Sequence, residues 1–419
     1  MMPDEILNLD AYERFVNPAW SNIVRLSGLD IRPERATGSR LFMTDGREFL
    51  DFVTGYGAMP LGHNPPDLLN LLSSDLRDGL PNLNPLGRSE QAGELAGRLI
   101  RLAGINDGKV YFGSAGTDAV DAALKFAMVH TGRRGLLSIA GGFHGLSLSA
   151  TSLAGSDFWR RGLPAPPGEF RQTELNDTDS IELALETGNI AAIILEPVQG
   201  TAGSNAWTKD ALQRVAALCE KHGSVLIFDE ILCGVARSGH WFAYQALDVP
   251  APHIVTISKG LTGGILPLSA VLMRDSIYQS VFGRTSAAKI HGSTFSCNRL
   301  SMRCGTHVLS LLEDAGICAH VRVQGERLQL GVKQCGRDFG FTCDGVGLLL
   351  SIRAMPDALR RYGGGAALQL WQALLERNVM TIPAAHDPVS IRLLPPLNVG
   401  AEEIEIFLNR LREAFRDLS

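Results

Sequence analysis

The stretch IVTISKGLTGG, residues 254–264, carries four apolar or β-branched residues to Lys259 and then strips away side-chain bulk with Gly260, Gly263 and Gly264. Two readings are open for such a lysine. It can be a solvated strand-end residue followed by turn glycines. Alternatively, it is delivered to the crevice that strand ends face in open α/β sheets. There, partly desolvated, its pKa falls and the amine becomes a nucleophile toward carbonyls. A second stretch, VLIFDEI at 225–231, brings an apolar run to Asp229 and Glu230. Such a run ending in Asp-Glu also fits an ATPase. That reading needs GxxxxGK followed by Ser or Thr, and the chain holds no such string. A third, GSAGTDA at 113–119, places small residues where an amphipathic helix begins. Backbone N–H groups at a helix start can cradle an anion.

Elements must bring these three stretches together. Short apolar runs at 109–113, 135–141, 191–197, 224–231, 253–259 and 268–274 read as strands. Continuous apolar runs of this length suit strands buried on both faces, which means a largely parallel sheet. Between them, 117–130 places Val120, Ala123, Leu124, Ala127 and Met128 on one helical face. A second helix is expected over 208–222, stopping at Gly223. Alternation of this kind means an α/β domain with right-handed crossovers. After about residue 300 the pattern changes to long helices, strands at 346–353 and 390–395, and a last helix over 401–418. The expected division is an N-terminal segment 1–50 packing with the smaller lobe, a large α/β domain 51–305 and a small α+β domain 306–419.

Composition narrows the classes. The chain has 419 residues, 45% hydrophobic and 20% charged, with a formal net charge of −5. Length and balance fit a globular protein of more than one domain. No basic run marks a nucleic-acid or anionic-membrane surface. The seven cysteines are scattered without a CxxC pair, so neither a disulfide framework nor a metal site is expected, and a reducing cytoplasm fits. The first residues, MMPDEILNLDAYERF, lack a basic n-region and an apolar h-region and are expected not to be a signal peptide. No apolar run approaches the ~18 residues of a membrane span.

An amine nucleophile, a buried carboxylate and an anion cradle are the parts of a pyridoxal phosphate site. The lysine holds the aldehyde, the carboxylate keeps the ring nitrogen protonated and the cradle takes the phosphate. Eight segments in order carry a family resemblance from about Leu41 onward. They are LFMTDGREFLDFVTGYGAMPLGHNPPDL, YFGSAGTDAVDAALKFA, GGFHGLSLSAT, IILEPVQG, LIFDEILCGVARSGHWFA, IVTISKGLTGGILPLSAV, HGSTFSCNRL and SIRLLPPL. The chain resembles the class III (ω-type) aminotransferases of the fold type I pyridoxal phosphate superfamily. That resemblance implies a large domain built on a mostly parallel, seven-stranded-type sheet, plus a smaller α+β domain.

The resemblance also implies roles. Lys259 matches the Schiff-base lysine and Asp229 the partner of the pyridine nitrogen. Ala115, Gly116 and Thr117 match the phosphate loop. Phe143 matches the aromatic that stacks on the ring, with His144 beside it, and Glu196 the carboxylate beneath the cofactor. Thr294 matches the threonine that reaches the phosphate from the neighbouring subunit, which implies an obligate homodimer with shared sites. Arg392 matches the arginine that takes a substrate carboxylate, and Tyr56, in the entry segment, is the other expected substrate contact. Taken singly, Phe143 could be a core aromatic, His144 a satisfied turn histidine, Glu196 a strand terminus and Arg392 half of a surface ion pair.

Three positions depart from the family pattern. Leu232 stands where glutamine often meets the ring's phenolic oxygen, and leucine cannot hydrogen-bond. Thr201 stands where some members carry a glutamate that masks the arginine. Asp118 replaces the usual glutamate of the phosphate loop. The implied reaction is ping-pong transfer of an amino group from an ω-amine or amino-acid-like donor to a keto acid or aldehyde. The same scaffold also supports aminomutase, decarboxylase or racemase chemistry, because fold does not fix reaction.

Overall fold

A computed structural model describes residues 11–28, 32–84, 86–163 and 169–418. Its centre is a seven-stranded sheet. The strands run, in spatial order, Lys109–Gly113, Ser269–Met273, Ile254–Ile257, Val225–Asp229, Ile190–Leu195, Gly135–Ile139 and Glu169–Thr173. Six share one direction. Ser269–Met273 alone runs antiparallel to both its neighbours.

Side chains alternate across this sheet, as the pleat requires. Val225 and Ile227 join a cluster with Val120, Ala123 and Ala127 of the helix Gly116–Thr131. Leu226 and Phe228 join a cluster on the other face with Leu212, Val215 and Leu218 of the helix Lys209–His222. Both faces are covered, which accounts for strands that read as unbroken apolar runs. Glu169–Thr173 escaped the sequence reading because it is an edge strand. Paired on one side only and half-exposed, it reads EFRQT and has no apolar run to show.

A second sheet is wholly antiparallel, in the order Phe341–Val346, Leu349–Ala354, Asp387–Leu393 and Ile382–Ala384. The helices Ile317–Gly336, Ala366–Glu376 and Ala401–Arg416 share its apolar core. The run expected as one strand over 346–353 is instead a hairpin, turned at Gly347 with φ +60°. A third sheet joins Pro33–Thr37, Arg40–Met43 and Glu48–Asp51 to Val379–Met380. Early and late parts of the chain therefore share backbone hydrogen bonds. Among the described residues, no helix is long and apolar enough to cross a membrane.

Candidate active site

The parallel strands all end at one edge of the central sheet, and the titratable groups collect there. Asp229 closes the strand Val225–Asp229 and is 3% exposed. Its Oδ1 accepts the Ile231 N–H at 3.1 Å and the Thr256 hydroxyl at 3.2 Å. Its Oδ2 lies 2.7 Å from Nδ1 of His144, which is also buried. Desolvation opposes charge on His144, yet the hydrogen bond and charge of Asp229, with Glu196 behind it, raise its pKa overall. The Nε2 of His144 has no partner among the described residues.

Lys259 follows the next strand, Ile254–Ile257, but is not part of it. The strand ends earlier than its apolar run implied. The Ser258 hydroxyl donates to the Leu268 carbonyl at 2.7 Å, and Lys259 begins a short 3₁₀ turn at φ +36°. A positive φ is uncommon for a residue with a side chain. Gly263 and Gly264 then take φ +66° and +78°, which turns the backbone away. Burial draws the Lys259 ammonium down from 10.5 to about 8. Glu196 and Asp229 pull it upward, and the charge of Arg392 adds to the lowering.

Glu196 lies just beyond the strand Ile190–Leu195. Its Oε1 accepts the Phe143 N–H at 2.9 Å and its Oε2 the Gly200 N–H at 3.2 Å. Burial pushes this carboxyl up to about 7, with His144 and the two N–H groups acting against the shift and Asp229 adding to it. The bond to the Phe143 backbone fixes that residue in the cavity lining. Phe143 and Glu196 are thus joined, which neither residue announces alone.

These groups line a cavity of about 190 Å³ together with Gly116, Thr117, Thr201 and Leu232. The helix Gly116–Thr131 points its N-terminus into it. Asp118 Oδ2 accepts the N–H groups of Ser114 at 3.1 Å and Ala115 at 3.0 Å. The donor of Ala115 is therefore in use, while those of Gly116 and Thr117 have no acceptor among the described residues. A Cβ on Gly116 would lie 3.1 Å from Ile231, so glycine leaves room beside the cradle.

Leu232 is buried in the wall. A Cβ on Gly200 would come within 2.1 Å of its Cδ2, and one on Gly57 within 2.8 Å of its Cδ1. Leu232 and these two glycines form one packing unit. Thr201 donates to the Gly141 carbonyl at 3.4 Å and offers no carboxylate.

Arg392 lies on the strand Asp387–Leu393, opposite Ser351. It is 5% exposed, which rules out the surface ion pair, and its Nε has no partner among the described residues. Its guanidinium stands 5.9 Å from the ring of Tyr56, itself held at φ +59°. Burial lowers the Arg392 pKa, against the upward pull of Tyr56 and Glu196. Thr294 is not brought to this cavity. It is exposed, on the wall of a separate groove of about 850 Å³.

Three side chains at the site were not apparent from sequence. Arg237, fully buried, donates to the carbonyls of Leu348, Pro395 and Gly57, fastening the Tyr56 turn to the segments just before Leu349–Ala354 and just after Asp387–Leu393. Trp159 and His386 flank Phe143. All three act through contacts with residues remote in the chain, which no local pattern records.

Comparison with known proteins accords with this geometry. The family model described as aminotransferase class-III matches residues 25–415. This chain belongs to the class-III aminotransferases. An acetylornithine aminotransferase of Streptomyces coelicolor (strain ATCC BAA-471 / A3(2) / M145) is 35% identical over 382 residues, covering 90% of this chain and 89% of that protein. The aminotransferase PigE of Serratia sp. (strain ATCC 39006) is 28% identical over 98% of this chain, and the chain spans 53% of the length of that relative. A Bacillus anthracis aminotransferase superposes with a TM-score of 0.88 at 22% identity, covering 99% of each chain. At that identity the likeness speaks for the fold, which is fold type I. The class-III aminotransferase described here is a pyridoxal-phosphate-dependent enzyme, and its reaction is transfer of an amino group between amine and keto-acid substrates. Nothing in these likenesses points to aminomutase, decarboxylase or racemase chemistry.

Proposed function

We propose that Lys259 is the amine that holds pyridoxal phosphate and carries the proton in transamination, with Asp229 facing the ring nitrogen. The observation that supports this reading is the cavity itself: a lysine drawn to about 8 by burial, beside two buried carboxylates and an open helix N-terminus. At pH 7 a pKa near 8 leaves about a tenth of the amine neutral, against well below a thousandth for an ordinary lysine. The residues fit the cofactor. Gly116 and Thr117 offer N–H donors for its phosphate, Phe143 a ring face, and Asp229 an anion that its partners fix in orientation. When bound, pyridoxal phosphate supplies an aldehyde carbon and an electron-withdrawing ring.

Neutral Nζ of Lys259 takes the proton from the amine-bearing carbon of the donor, acting as a positioned base. The negative charges of Glu196 and Asp229 steady the ammonium so formed. Asp229 would hold a proton at the pyridine nitrogen, and His144 fixes the orientation of that carboxylate through the 2.7 Å contact. Arg392, buried and unmasked, takes the carboxylate of an α-amino or α-keto acid with its planar fork. Tyr56 is the aromatic neighbour over whose ring that guanidinium sits. The other substrate is an ω-amine or amino-acid-like compound, and the two half-reactions share the pocket in turn.

The same reading makes the enzyme a homodimer with shared sites, in which Thr294 of one chain completes the phosphate end of the other's pocket. What supports it is the exposure of Thr294 beside Phe295, which is 60% exposed, and Ile290, 51% exposed. The residues 51–305 and 306–419 are read as the large and small domains around the two main sheets, with 1–50, of which 1–10 and 29–31 lie outside the described residues, attached to the smaller through the pairing of Glu48–Asp51 with Val379–Met380. A cytoplasmic site of action suits seven cysteines that are all unbridged.

Reductive trapping tests the central assignment. Borohydride reduction of the loaded enzyme, followed by peptide mapping, should label Lys259. Lys259→Ala should fold, retain its assembly and lose turnover by at least ~10²–10⁴-fold, the range of a lost acid–base group. A label on another lysine would sink the assignment.

A further inference from the structure

Trp159 and His386 do not line the cavity at Lys259, yet they pack on Phe143 and join the two parts of the site. His386 sits in the turn between Ile382–Ala384 and Asp387–Leu393, the hairpin that carries Arg392. Three hydrogen bonds leave this turn for the larger lobe. The His386 backbone N–H donates to the Thr201 carbonyl at 3.0 Å. Its Nδ1 lies 2.8 Å from the Gly141 carbonyl, and its Nε2 lies 2.6 Å from Nε1 of Trp159.

The partners dictate the tautomer. A carbonyl can only accept and an indole N–H can only donate. Nδ1 therefore carries the proton and Nε2 is bare, so the imidazole is neutral with both ring nitrogens satisfied. The rings form a wall around Phe143. Trp159 stands 5.4 Å from it and His386 6.2 Å, each inclined at 60°. Edge-on packing at such distances is a favourable aromatic geometry. Phe143 is thus held from below by Glu196 and from the side by this pair. A register shift between Pro383 and Ala384 bulges the hairpin. The charge of Arg392 bears on His386 even so.

We propose that Trp159 and His386 are positioning residues, a hydrogen-bonded clip that sets the Arg392 hairpin against the Phe143 wall. This rests on the reading of Phe143 as the cofactor's neighbour and Arg392 as the carboxylate site. The clip fixes the span between ring and guanidinium, and so decides how a carboxylate-bearing substrate fits. Its loss acts on cofactor retention and on the KM for the acid partner, and leaves kcat for a saturating amine without a carboxylate within about twofold.

The test uses the holoenzyme with three variants: Trp159→Phe, which keeps an aromatic ring and removes the N–H; His386→Leu, which removes both bonds; and Trp159→Phe with His386→Leu together. Losing one hydrogen bond predicts about a fivefold rise in the pyridoxal phosphate dissociation constant and in the acid KM for Trp159→Phe. Losing both predicts about a tenfold to thirtyfold rise for His386→Leu, and the double variant should match His386→Leu because the pair acts as a unit. Cofactor dissociation is read from absorbance after dialysis, independently of turnover. Lowered thermal stability with unchanged dissociation constant and KM would overturn the clip, as would additive losses in the double variant. Wild-type enzyme that transaminates while the variants are silent overturns only this proposal, and wild-type enzyme that does not transaminate overturns the reading of the site itself.

Discussion

Two hollows of this molecule invite comparison: the cavity of about 190 Å³ at Lys259 and the groove of about 850 Å³ that holds Thr294. The larger is built mostly from loops and helix starts, residues 80–84 and 87–92 on one side and 289–299 on the other. Of its cations, Arg88 and Lys289 are exposed to water, and the buried Arg299 lies beside Asp75. The smaller is built on the ends of parallel strands, with Asp229, Glu196 and His144 buried around one lysine. Volume therefore does not locate the chemistry. What marks the smaller as the candidate site is the enforced proximity of buried charges, because there electrostatic interactions keep their strength. The groove shows the complementary property: exposed apolar residues, Leu80 and Leu83, in the same lining as the exposed Thr294.

The sharpest way to break this contrast is to remove charge from the smaller hollow. Asp229→Asn keeps the shape of the side chain and abolishes the anion. With a donor at saturation, proton removal should slow by at least ~10²-fold, the scale of a lost preorganised electrostatic partner. The cofactor should stay bound, because Gly116, Thr117 and Lys259 are untouched. Single-turnover absorbance of the donor half-reaction measures this, and a near-normal rate would contradict the ring-nitrogen role.

Arg392→Ala removes a buried charge that bears on Lys259 and Glu196 from outside the cavity lining, with a smaller expected effect. The acid half-reaction should lose about 1.5–3 kcal/mol, the worth of a hydrogen bond to a charged group. The amine half-reaction should be nearly intact. The guanidinium is buried and its Nε has no partner among the described residues, so solvent screening does not blunt the loss. Rates for the two halves, measured separately, decide it. Equal losses in both, or none in either, would make Arg392 structural.

The two hollows also differed in how far they could be read from sequence. Lys259, Asp229 and the start of the helix at Gly116 were legible because each ends or follows an apolar run, and runs show in sequence. The strain at Lys259 was not, since φ +36° depends on how Ser258 is tied to Leu268. The edge strand Glu169–Thr173 and the hairpin at Gly347 were missed for a similar reason: pairing partners, not composition, make them strands. Leu232 was legible as a departure, but its fit against Gly57 and Gly200 required the fold. Trp159 and His386 are 227 residues apart in the chain, so their hydrogen bond has no sequence signal at all.

The smallest expected effect sharpens the role of the larger hollow. Thr294→Ala removes one hydroxyl from an exposed loop. If Thr294 serves a neighbour's phosphate, the pyridoxal phosphate dissociation constant should rise by roughly two- to tenfold, the scale of one hydrogen bond. KM for both substrates should stay put. Such a change is modest enough to have other origins, so the decisive measurement is complementation. Chains carrying Thr294→Ala are mixed with chains carrying Lys259→Ala, dissociated and reassembled. In a hybrid dimer with shared sites, one site combines Lys259 of the first chain with Thr294 of the second, and that site is complete. The mixture should then show turnover with wild-type cofactor affinity, which neither parent has. If each pocket draws every residue from its own chain, mixing restores nothing, and the active fraction keeps the weakened affinity of Thr294→Ala.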